Sequence, residues 1–229
     1  MKICGLQKLT LLDYPGHLAC TVFLGGCNFK CPFCYNTPLI PLNECREYIS
    51  ESELLSFLDK RKGILQGVAI TGGEPLINKD IKDLIIKIRE LGFKVKLDTN
   101  GSFPDVLKNL IEEGLVDYVA MDVKNTYEKY DLTAGVHVNA QNIKRSINIL
   151  LQGKVDYEFR TTVIKEFHEI DDFDEIGKMI KGAKNYFLQS FQDKESVHGH
   201  FSPLTKEELE MCCKKAQKYV PNTNIRGID

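Results

Sequence analysis

The feature that most limits the fold of this chain is a regular alternation of short apolar segments with amphipathic helical segments. The short segments have strand character, and apolar residues recur at helical spacing between them. The predicted strands are 18–25, 68–70, 93–97, 118–121, 157–163 and 186–188. Parallel strands need crossover connections, so this alternation predicts an α/β fold with a parallel sheet. Such a sheet can curl into a partial (β/α)6 barrel.

Helix boundaries are marked in the sequence at several places. Ser50 with Glu53, and Thr205 with Glu208, form capping-box patterns at two helix starts. Asn78 is the candidate cap of a helix that ends before Gly92. The remaining predicted helices are 102–114, 139–151 and 172–181. Since an α/β barrel of this length is commonly one domain, we predict a single domain over residues 1–229.

Composition excludes several classes of function. The net charge is −2 and the charges of both signs are interspersed, so we expect no nucleic-acid binding. No apolar run reaches the roughly 18–20 residues that a membrane span needs, and we expect no membrane association. The first ten residues lack the pattern of a signal peptide. With eight cysteines and no secretory signal, the sequence predicts a cytoplasmic protein with reduced thiols.

Three cysteines follow the first predicted strand at C-x3-C-x2-C spacing, namely Cys27, Cys31 and Cys34. A closed zinc site or an ordinary electron-transfer cluster uses four protein ligands. Three thiolates on a four-iron, four-sulfur cluster would instead leave one iron open to a small molecule. On spacing alone, a Cys4 zinc site with Cys20 or Cys45 as the fourth ligand remains the alternative.

Unusual polar residues follow most of the predicted strands. In barrels of this kind the chemistry lies on loops at the carboxyl ends of the strands. The segments at these ends are Thr71-Gly72-Gly73-Glu74-Pro75, Asp98-Thr99-Asn100-Gly101, Asp122-Val123-Lys124 and Gln189-Ser190-Phe191-Gln192. Each segment alone is compatible with an ordinary turn or surface pair. Because they follow successive strands, we expect them to converge on one mouth.

The residue types in these segments indicate one kind of ligand. Gly72 and Gly73 would let main chain approach a ligand closely. Glu74 would offer a carboxylate to an ammonium group, and Lys124 would offer an ammonium to a carboxylate. A ligand that carries an amine and a carboxylate, and that chelates an open iron, fits S-adenosylmethionine (SAM).

These motifs resemble a known family. C-x3-C-x-aromatic-C followed by Gly-Gly-Glu-Pro is similar to the radical SAM enzymes. The run Thr10-Leu11-Leu12-Asp13-Tyr14-Pro15-Gly16, with Asp98–Gly101 and Asp122–Lys124, resembles the glycyl-radical-enzyme activating proteins. Within these, the resemblance is to the anaerobic ribonucleoside-triphosphate reductase activating proteins, and it covers about residues 5–191.

The resemblance implies roles for twelve residues around one [4Fe-4S] cluster and one SAM. The cluster ligands would be Cys27, Cys31 and Cys34. SAM would be contacted by Phe33 near the adenine, by Gly72, Gly73 and Glu74 at the amine, by Lys124 at the carboxylate, and by Asp98 and Arg160. A monovalent cation would be bound by Asp98, Thr99 and Asp122.

The resemblance also implies a reaction and its partners. Flavodoxin or ferredoxin would reduce the cluster, SAM would be cleaved to methionine and a 5′-deoxyadenosyl radical, and that radical would take a hydrogen atom from a glycine Cα of a glycyl-radical enzyme. The expected partner is anaerobic ribonucleoside-triphosphate reductase. The protein itself would position the groups and exclude side reactions. The carboxy-deazaguanine synthases, of similar size and also with Gly-Gly-Glu-Pro, keep a small-molecule reaction open, and a zinc-stabilised binding module is the non-catalytic alternative.

Two positions depart from the family pattern. Many relatives have His after the third cysteine, where this chain has Tyr35. Some formate-lyase activators carry His after the sixth strand, where the nearest residue here is Gln192. Neither change affects the cluster ligands, but both leave the ribose and sulfonium contacts open.

Overall fold

The computed structural model describes residues 1–40, 48–193, 197 and 199–228. Its centre is an eight-stranded sheet whose strands lie side by side in chain order. They are β1 (Ile3–Thr10), β2 (Ala19–Leu24), β3 (Gly67–Gly72), β4 (Lys94–Thr99), β5 (Tyr118–Asp122), β6 (Asp156–Val163), β7 (Tyr186–Ser190) and β8 (Thr223–Arg226). β1 is antiparallel to β2, and every later neighbouring pair is parallel. The predicted α/β fold with an open, partly closed barrel is confirmed, while β1 and β8 at its two edges were not predicted.

Seven helices of the described residues cover the sheet. They are α1 (Glu51–Asp59), α2 (Ile81–Glu90), α3 (Pro104–Glu112), α4 (Tyr130–Ala134), α5 (Ala140–Leu151), α6 (Asp172–Met179) and α7 (Lys206–Gln217). Both predicted capping boxes form, at Ser50 for α1 and at Thr205 for α7. Among these helices, none is long and apolar enough to cross a bilayer.

The start of α2 differs from the prediction. A short 3-10 turn occupies Pro75–Ile77 and has Asn78 at its C-terminal cap. Asp80, two residues later, is the N-terminal cap of α2. Asn78 therefore ends the turn that follows the Gly-Gly-Glu motif instead of starting the helix, because Pro75 imposes the local turn first.

The core lies between the sheet and the helices. The apolar side of α2, formed by Leu84, Ile85 and Ile88, is fully buried, and α2 packs on β4 and on α1. Each fully buried side chain of this kind contributes about 1.5–3 kcal/mol. Because β2 to β7 run parallel, their carboxyl ends meet at one edge of the sheet.

A second, smaller apolar cluster lies at this edge. Phe33, Ile164, Phe191 and Val197 are buried together, with Tyr35 and other aromatic side chains packed around them. The cluster joins the cysteine loop after β2 to the loops that follow β6 and β7. It therefore holds the cysteine loop across the mouth of the partial barrel.

Candidate active site

The residues predicted for the site are all found around one cavity of about 400 Å³ at the carboxyl ends of the parallel strands. A volume of this size is typical of sites for small ligands. The predicted residues that line it are Cys27, Cys31, Phe33, Cys34, Gly72, Gly73, Glu74, Asp98, Thr99, Asp122, Lys124 and Arg160. The structure brings these side chains and glycines together, and the individual roles assigned to them stay predictions.

The three cysteines of the loop after β2 are partly buried at the cavity. The Phe29 main-chain N–H donates to Cys27 Sγ at 3.4 Å. Burial raises the pKa of the Cys27 thiol to about 12 and raises the pKa of Cys31 and of Cys34. Thiols in such surroundings become thiolates when a cationic metal centre binds them. Three thiols that line one cavity are the donor set of an iron–sulfur cluster with three protein ligands. Among the described residues, no group of three or more His, Cys, Asp or Glu is arranged to hold a metal ion.

Gly72 and Gly73 are required by the protein's own main chain. Gly72 has φ +117°, and a Cβ there would lie 2.4 Å from the N and O atoms of Leu24. A Cβ on Gly73 would lie 1.9 Å from the carbonyl oxygen of Gly26. The sequence pattern predicted that these glycines let main chain approach a ligand closely. The close approach that the structure shows is to β2 and to the start of the cysteine loop.

The carboxylate of Glu74 is buried and accepts three hydrogen bonds from its own chain. Oε1 accepts from the Leu76 N–H at 3.1 Å and from Thr99 Oγ1 at 2.8 Å, and Oε2 accepts from the Asn100 N–H at 2.6 Å. Burial raises the pKa of Glu74 to about 7, against the effect of these donors. Glu74 thus ties the loop after β3 to the loop after β4. The N–H groups of Gly73 and Glu74 are bonded within the chain, but each carbonyl oxygen of Gly72, Gly73 and Glu74 can accept a further hydrogen bond from a ligand amine.

Five charged side chains alternate in sign at the cavity, and four of them line it, while Lys96 is buried behind Asp98. Lys96 pairs with Asp98, and Arg160 bridges Asp98 at 3.4 Å and Asp122 at 2.9 Å. Lys124 Nζ lies 2.9 Å from Asp122 Oδ2. We call this set, Lys96–Asp98–Arg160–Asp122–Lys124, the charge chain. It has three cations and two carboxylates, so it carries one positive charge in excess.

The charge chain keeps its members ionised despite their burial. Burial works against the charged form of Asp122, but Arg160 and Lys124 outweigh it and hold the pKa of Asp122 well below its usual range. Burial would likewise lower the pKa of Lys124, and Asp122 reverses this and raises it. A partly buried ammonium beside three thiols can bind the carboxylate of an amino-acid ligand through a charge-assisted hydrogen bond.

The three residues predicted to bind a monovalent cation have different hydrogen-bond partners. Asp98 and Asp122 lie on either side of Arg160. The Thr99 hydroxyl donates to Glu74 and not toward these two carboxylates. The cation therefore stays a prediction.

The two positions that depart from the family pattern contact each other. Tyr35 stacks on Phe191 with ring centroids 5.7 Å apart and an angle of 9° between the planes. The main-chain N–H of Gln192 donates to the Tyr35 hydroxyl at 2.8 Å. Tyr35 thus connects the cysteine loop to the segment after β7, which the sequence pattern could not show.

Sequence analysis missed several residues of the cavity. Asn36 lines it and donates through Nδ2 to the carbonyl of Gly72 at 2.8 Å, which holds the exit of the cysteine loop on β3. Arg226 and Gly227, at the end of β8, also line it. The β8 sequence is Thr-Asn-Ile-Arg and has one apolar residue, so no strand pattern marks it. Of these residues, only Asn36 could have been predicted from the sequence, because it is a hydrogen-bonding residue just after Cys34.

The other cysteines that the structure describes do not line the cavity. Cys20 and Cys212 are fully buried in the core, as expected for small apolar side chains. Cys45, the other candidate for a fourth zinc ligand, lies outside the described residues. Cys4 is in a disulfide, so the expectation that every thiol is reduced was wrong for this residue.

Three comparisons with known proteins agree on the kind of fold. Residues 21–180 match the family model of the radical SAM superfamily. Over 235 aligned residues the chain is 33% identical to a Methanocaldococcus jannaschii protein named provisionally as a glycyl-radical enzyme activating enzyme, covering 99% of this chain and 96% of that protein. It is 30% identical, over 40% of this chain and 60% of the other, to the anaerobic ribonucleoside-triphosphate reductase-activating protein of Salmonella typhi. The solved structure of Streptococcus suis SuiB bound to precursor peptide SuiA superposes with a TM-score of 0.72 at 15% identity, covering 90% of this chain and 48% of that one.

Proposed function

The chain belongs to the radical SAM superfamily, and we propose that it generates a glycyl radical on a partner enzyme by reductive cleavage of SAM. The observation that carries the proposal is the shared cavity of Cys27, Cys31 and Cys34 with the charge chain that ends at Lys124. The near-full-length similarity to a protein named for glycyl-radical enzyme activation supports the choice of substrate.

Different residues of the chain would bind the cluster and SAM. The three thiolates would hold the cluster. Main-chain atoms of Gly72–Glu74 would hold the amine of SAM, Lys124 and Arg160 its carboxylate, and Phe33 would lie by the adenine. Asp98 would act through Arg160, which it orients. When bound together, cluster and SAM supply the radical that removes a hydrogen atom from a glycine Cα.

The side of the cavity built by β6 and β7 supports a polypeptide substrate. Thr162, Gln189 and Ser190 line it with neutral hydrogen-bonding groups. Such groups pair with peptide amides. The two arginines that also line the cavity here are already paired, Arg160 with Asp122 and Arg226 with Glu158, each at 2.9 Å. The apolar cluster around Phe33 and Phe191 borders this region and would exclude water from a reactive intermediate.

We further propose anaerobic ribonucleoside-triphosphate reductase as the partner, and flavodoxin or ferredoxin as the electron donor. The Salmonella typhi relative supports the first over part of the chain. The test is electron paramagnetic resonance of that reductase after anaerobic incubation with the protein, SAM and a chemical reductant. We expect a glycyl doublet and one 5′-deoxyadenosine per radical. SAM cleavage without a doublet on any glycyl-radical enzyme would favour a small-molecule reaction such as that of the carboxy-deazaguanine synthases.

A monovalent cation at Asp98 and Asp122 remains part of the proposal. Both carboxylates already have cationic partners in Arg160, Lys96 and Lys124. If Lys124 turned to the carboxylate of SAM, Asp122 would lose one partner, and a cation would then restore its charge balance. A cation at this position would therefore bind with SAM rather than before it.

Replacement of Lys124 by alanine is expected to weaken SAM binding by about ten- to a hundredfold. A hydrogen bond to a charged group contributes about 1.5–3 kcal/mol, and each 1.4 kcal/mol is about tenfold in affinity. The cluster ligands are untouched, so iron content should match wild type. Calorimetric titration of the reconstituted protein with SAM measures the effect.

Lys129→Ala is the matched control for this variant. Lys129 also forms ion pairs and is partly buried. Its ammonium lies 2.9 Å from Asp172 and 3.4 Å from Glu169, but Lys129 does not line the cavity. It should bind SAM as wild type does. Equal affinities in wild type and Lys124→Ala would show that Lys124 does not contact the carboxylate.

A further inference from the structure

The main chain on both sides of Cys27 is anchored to neighbouring loops. On one side, the carbonyl of Gly26 accepts from the Glu74 N–H at 2.9 Å. On the other side, the side chain of Asn28 is bonded to the loop between β4 and α3. Cys27 therefore lies between two residues that are held by hydrogen bonds, Gly26 by the loop after β3 and Asn28 by the loop after β4.

Asn28, Asn100 and Ser102 form a closed ring of three hydrogen bonds. Asn28 Nδ2 donates to Ser102 Oγ at 2.9 Å, and Ser102 Oγ donates to Asn100 Oδ1 at 2.5 Å. Asn100 Nδ2 then donates to Asn28 Oδ1 at 3.0 Å. Each group donates once and accepts once within the ring, so the direction of every bond follows from the others. Hydrogen bonds closed in this way support one another.

The ring is fixed to the rest of the site through Asn100. Asn100 is buried, and its main-chain N–H donates to Glu74 Oε2 at 2.6 Å. Glu74 is the same residue whose N–H holds Gly26. A continuous circuit of hydrogen bonds thus runs from Gly26 through Glu74 and Asn100 to Asn28, with Cys27 enclosed between its ends.

The other two cysteines are anchored by other means. Lys30, before Cys31, donates its N–H to the carbonyl of Ala134 at the end of α4. The Thr37 hydroxyl donates to the carbonyl of Cys34 at 2.6 Å. These bonds use main-chain groups of the cysteine loop, whereas one of the two anchors beside Cys27 is the side chain of Asn28. Loss of Asn28 should therefore affect Cys27 and leave Cys34 as an internal reference.

We propose that Asn28, Asn100 and Ser102 are positioning residues that hold Cys27 ready for iron before any cofactor is bound. The proposal rests on Cys27 being a cluster ligand. It assigns a role to the Asn of the Asp98–Gly101 segment, and to a residue of the cysteine loop, beyond the ligands themselves. Among the described residues, no side-chain hydrogen bond joins the ring to the charge chain or to the segment after β7.

The test measures the reactivity of the Cys27 thiol in the apoprotein, so it does not require the cluster or SAM to be bound. Wild type, Asn28→Ala, Asn100→Ala and the double variant are treated with iodoacetamide, and the alkylation of Cys27 relative to Cys34 is followed by mass spectrometry. Asn28→Ala should raise the relative rate by about tenfold, which corresponds to about 1.4 kcal/mol. Because the ring is closed, the double variant should match either single variant rather than add to it. Iron uptake at limiting iron should fall below that of wild type to a similar extent in all three variants.

Asn142→Ala is the matched control, and Asn28→Asp is the conservative variant. Asn142 Nδ2 donates to the main-chain carbonyl of Ser102 at 3.1 Å, so its loss disturbs the same loop without reaching the cysteine loop. It should leave the alkylation ratio unchanged, while Asn28→Asp should restore part of the protection because it keeps an acceptor for Asn100. The proposal is overturned if Asn28→Ala stays within about twofold of wild type, or if Asn142→Ala raises the ratio as much. If Cys27→Ala keeps the cluster while Asn28→Ala still raises the ratio, the ligand assignment fails and the ring is only structural.

Discussion

Replacing Cys31 with alanine is expected to abolish both iron–sulfur cluster assembly and SAM cleavage. Cys27 and Cys34 alone cannot hold a cluster that needs three protein thiolates, and the described cysteines elsewhere in the chain are not at the cavity. The variant should be colourless after anaerobic reconstitution. Iron and sulfide per chain, the visible spectrum and 5′-deoxyadenosine formation measure the result.

The control for this variant is Cys213→Ala. Cys213 lies on α7, is buried, and donates from Sγ to the carbonyl of Thr223 at 3.3 Å. Its replacement removes one thiol from the chain without changing the cavity, so iron content and SAM cleavage should match wild type. If Cys31→Ala retained colour and cleavage, the three-cysteine assignment would be contradicted, and a fourth ligand or a different site would have to carry the metal.

The location of the site could be predicted from the sequence because it follows from parallel topology. In a parallel sheet, polar residues placed just after successive strands must meet at one edge. No contact information is needed to predict that Cys27, Glu74, Asp98 and Lys124 lie together, and all four line the same cavity. The resemblance added Arg160, which lies within β6 and has no turn signal of its own.

What the sequence could not show are contacts between distant segments. The Asn28–Asn100 bond joins residues 72 positions apart, and the Tyr35–Gln192 bond joins residues 157 apart. No local period encodes either one. β1 was missed because the middle of its sequence is exposed and does not alternate in burial. A pattern search for half-buried strands depends on that alternation.

The glycine pair shows a different limit of sequence reasoning. Two adjacent glycines indicate that another group comes close to the main chain, but they do not identify that group. The sequence analysis assigned the space at Gly72 and Gly73 to a ligand. In the structure it is taken by the main chain of Leu24 and of Gly26. The pair therefore fits β3 against the cysteine loop, and so it bears on the cluster as well as on SAM.

Replacement of Gly73 by alanine is accordingly expected to displace the cysteine loop. The added Cβ would lie 1.9 Å from Gly26 O and 3.3 Å from the Cys27 N atom, and these are main-chain atoms that cannot rotate away. Gly73 does not have a positive φ, so the effect is steric and not conformational. Overpacking of this kind typically costs about 1–3 kcal/mol, and occasionally more. Here the strain falls on the peptide that leads into Cys27, so iron content and SAM cleavage should both fall by more than about tenfold.

Gly5→Ala separates this steric effect from a general intolerance of added methyl groups. Gly5 on β1 also lacks a positive φ, but a Cβ there would meet Phe23 Cβ at 3.5 Å, an ordinary contact. It should bind iron as wild type does. Iron content and melting temperature of the two apoproteins and reconstituted proteins are the measurements. If Gly73→Ala bound iron like Gly5→Ala, the loop after β3 would have moved aside at little cost. The Gly26–Glu74 contact would then not hold Cys27 in place.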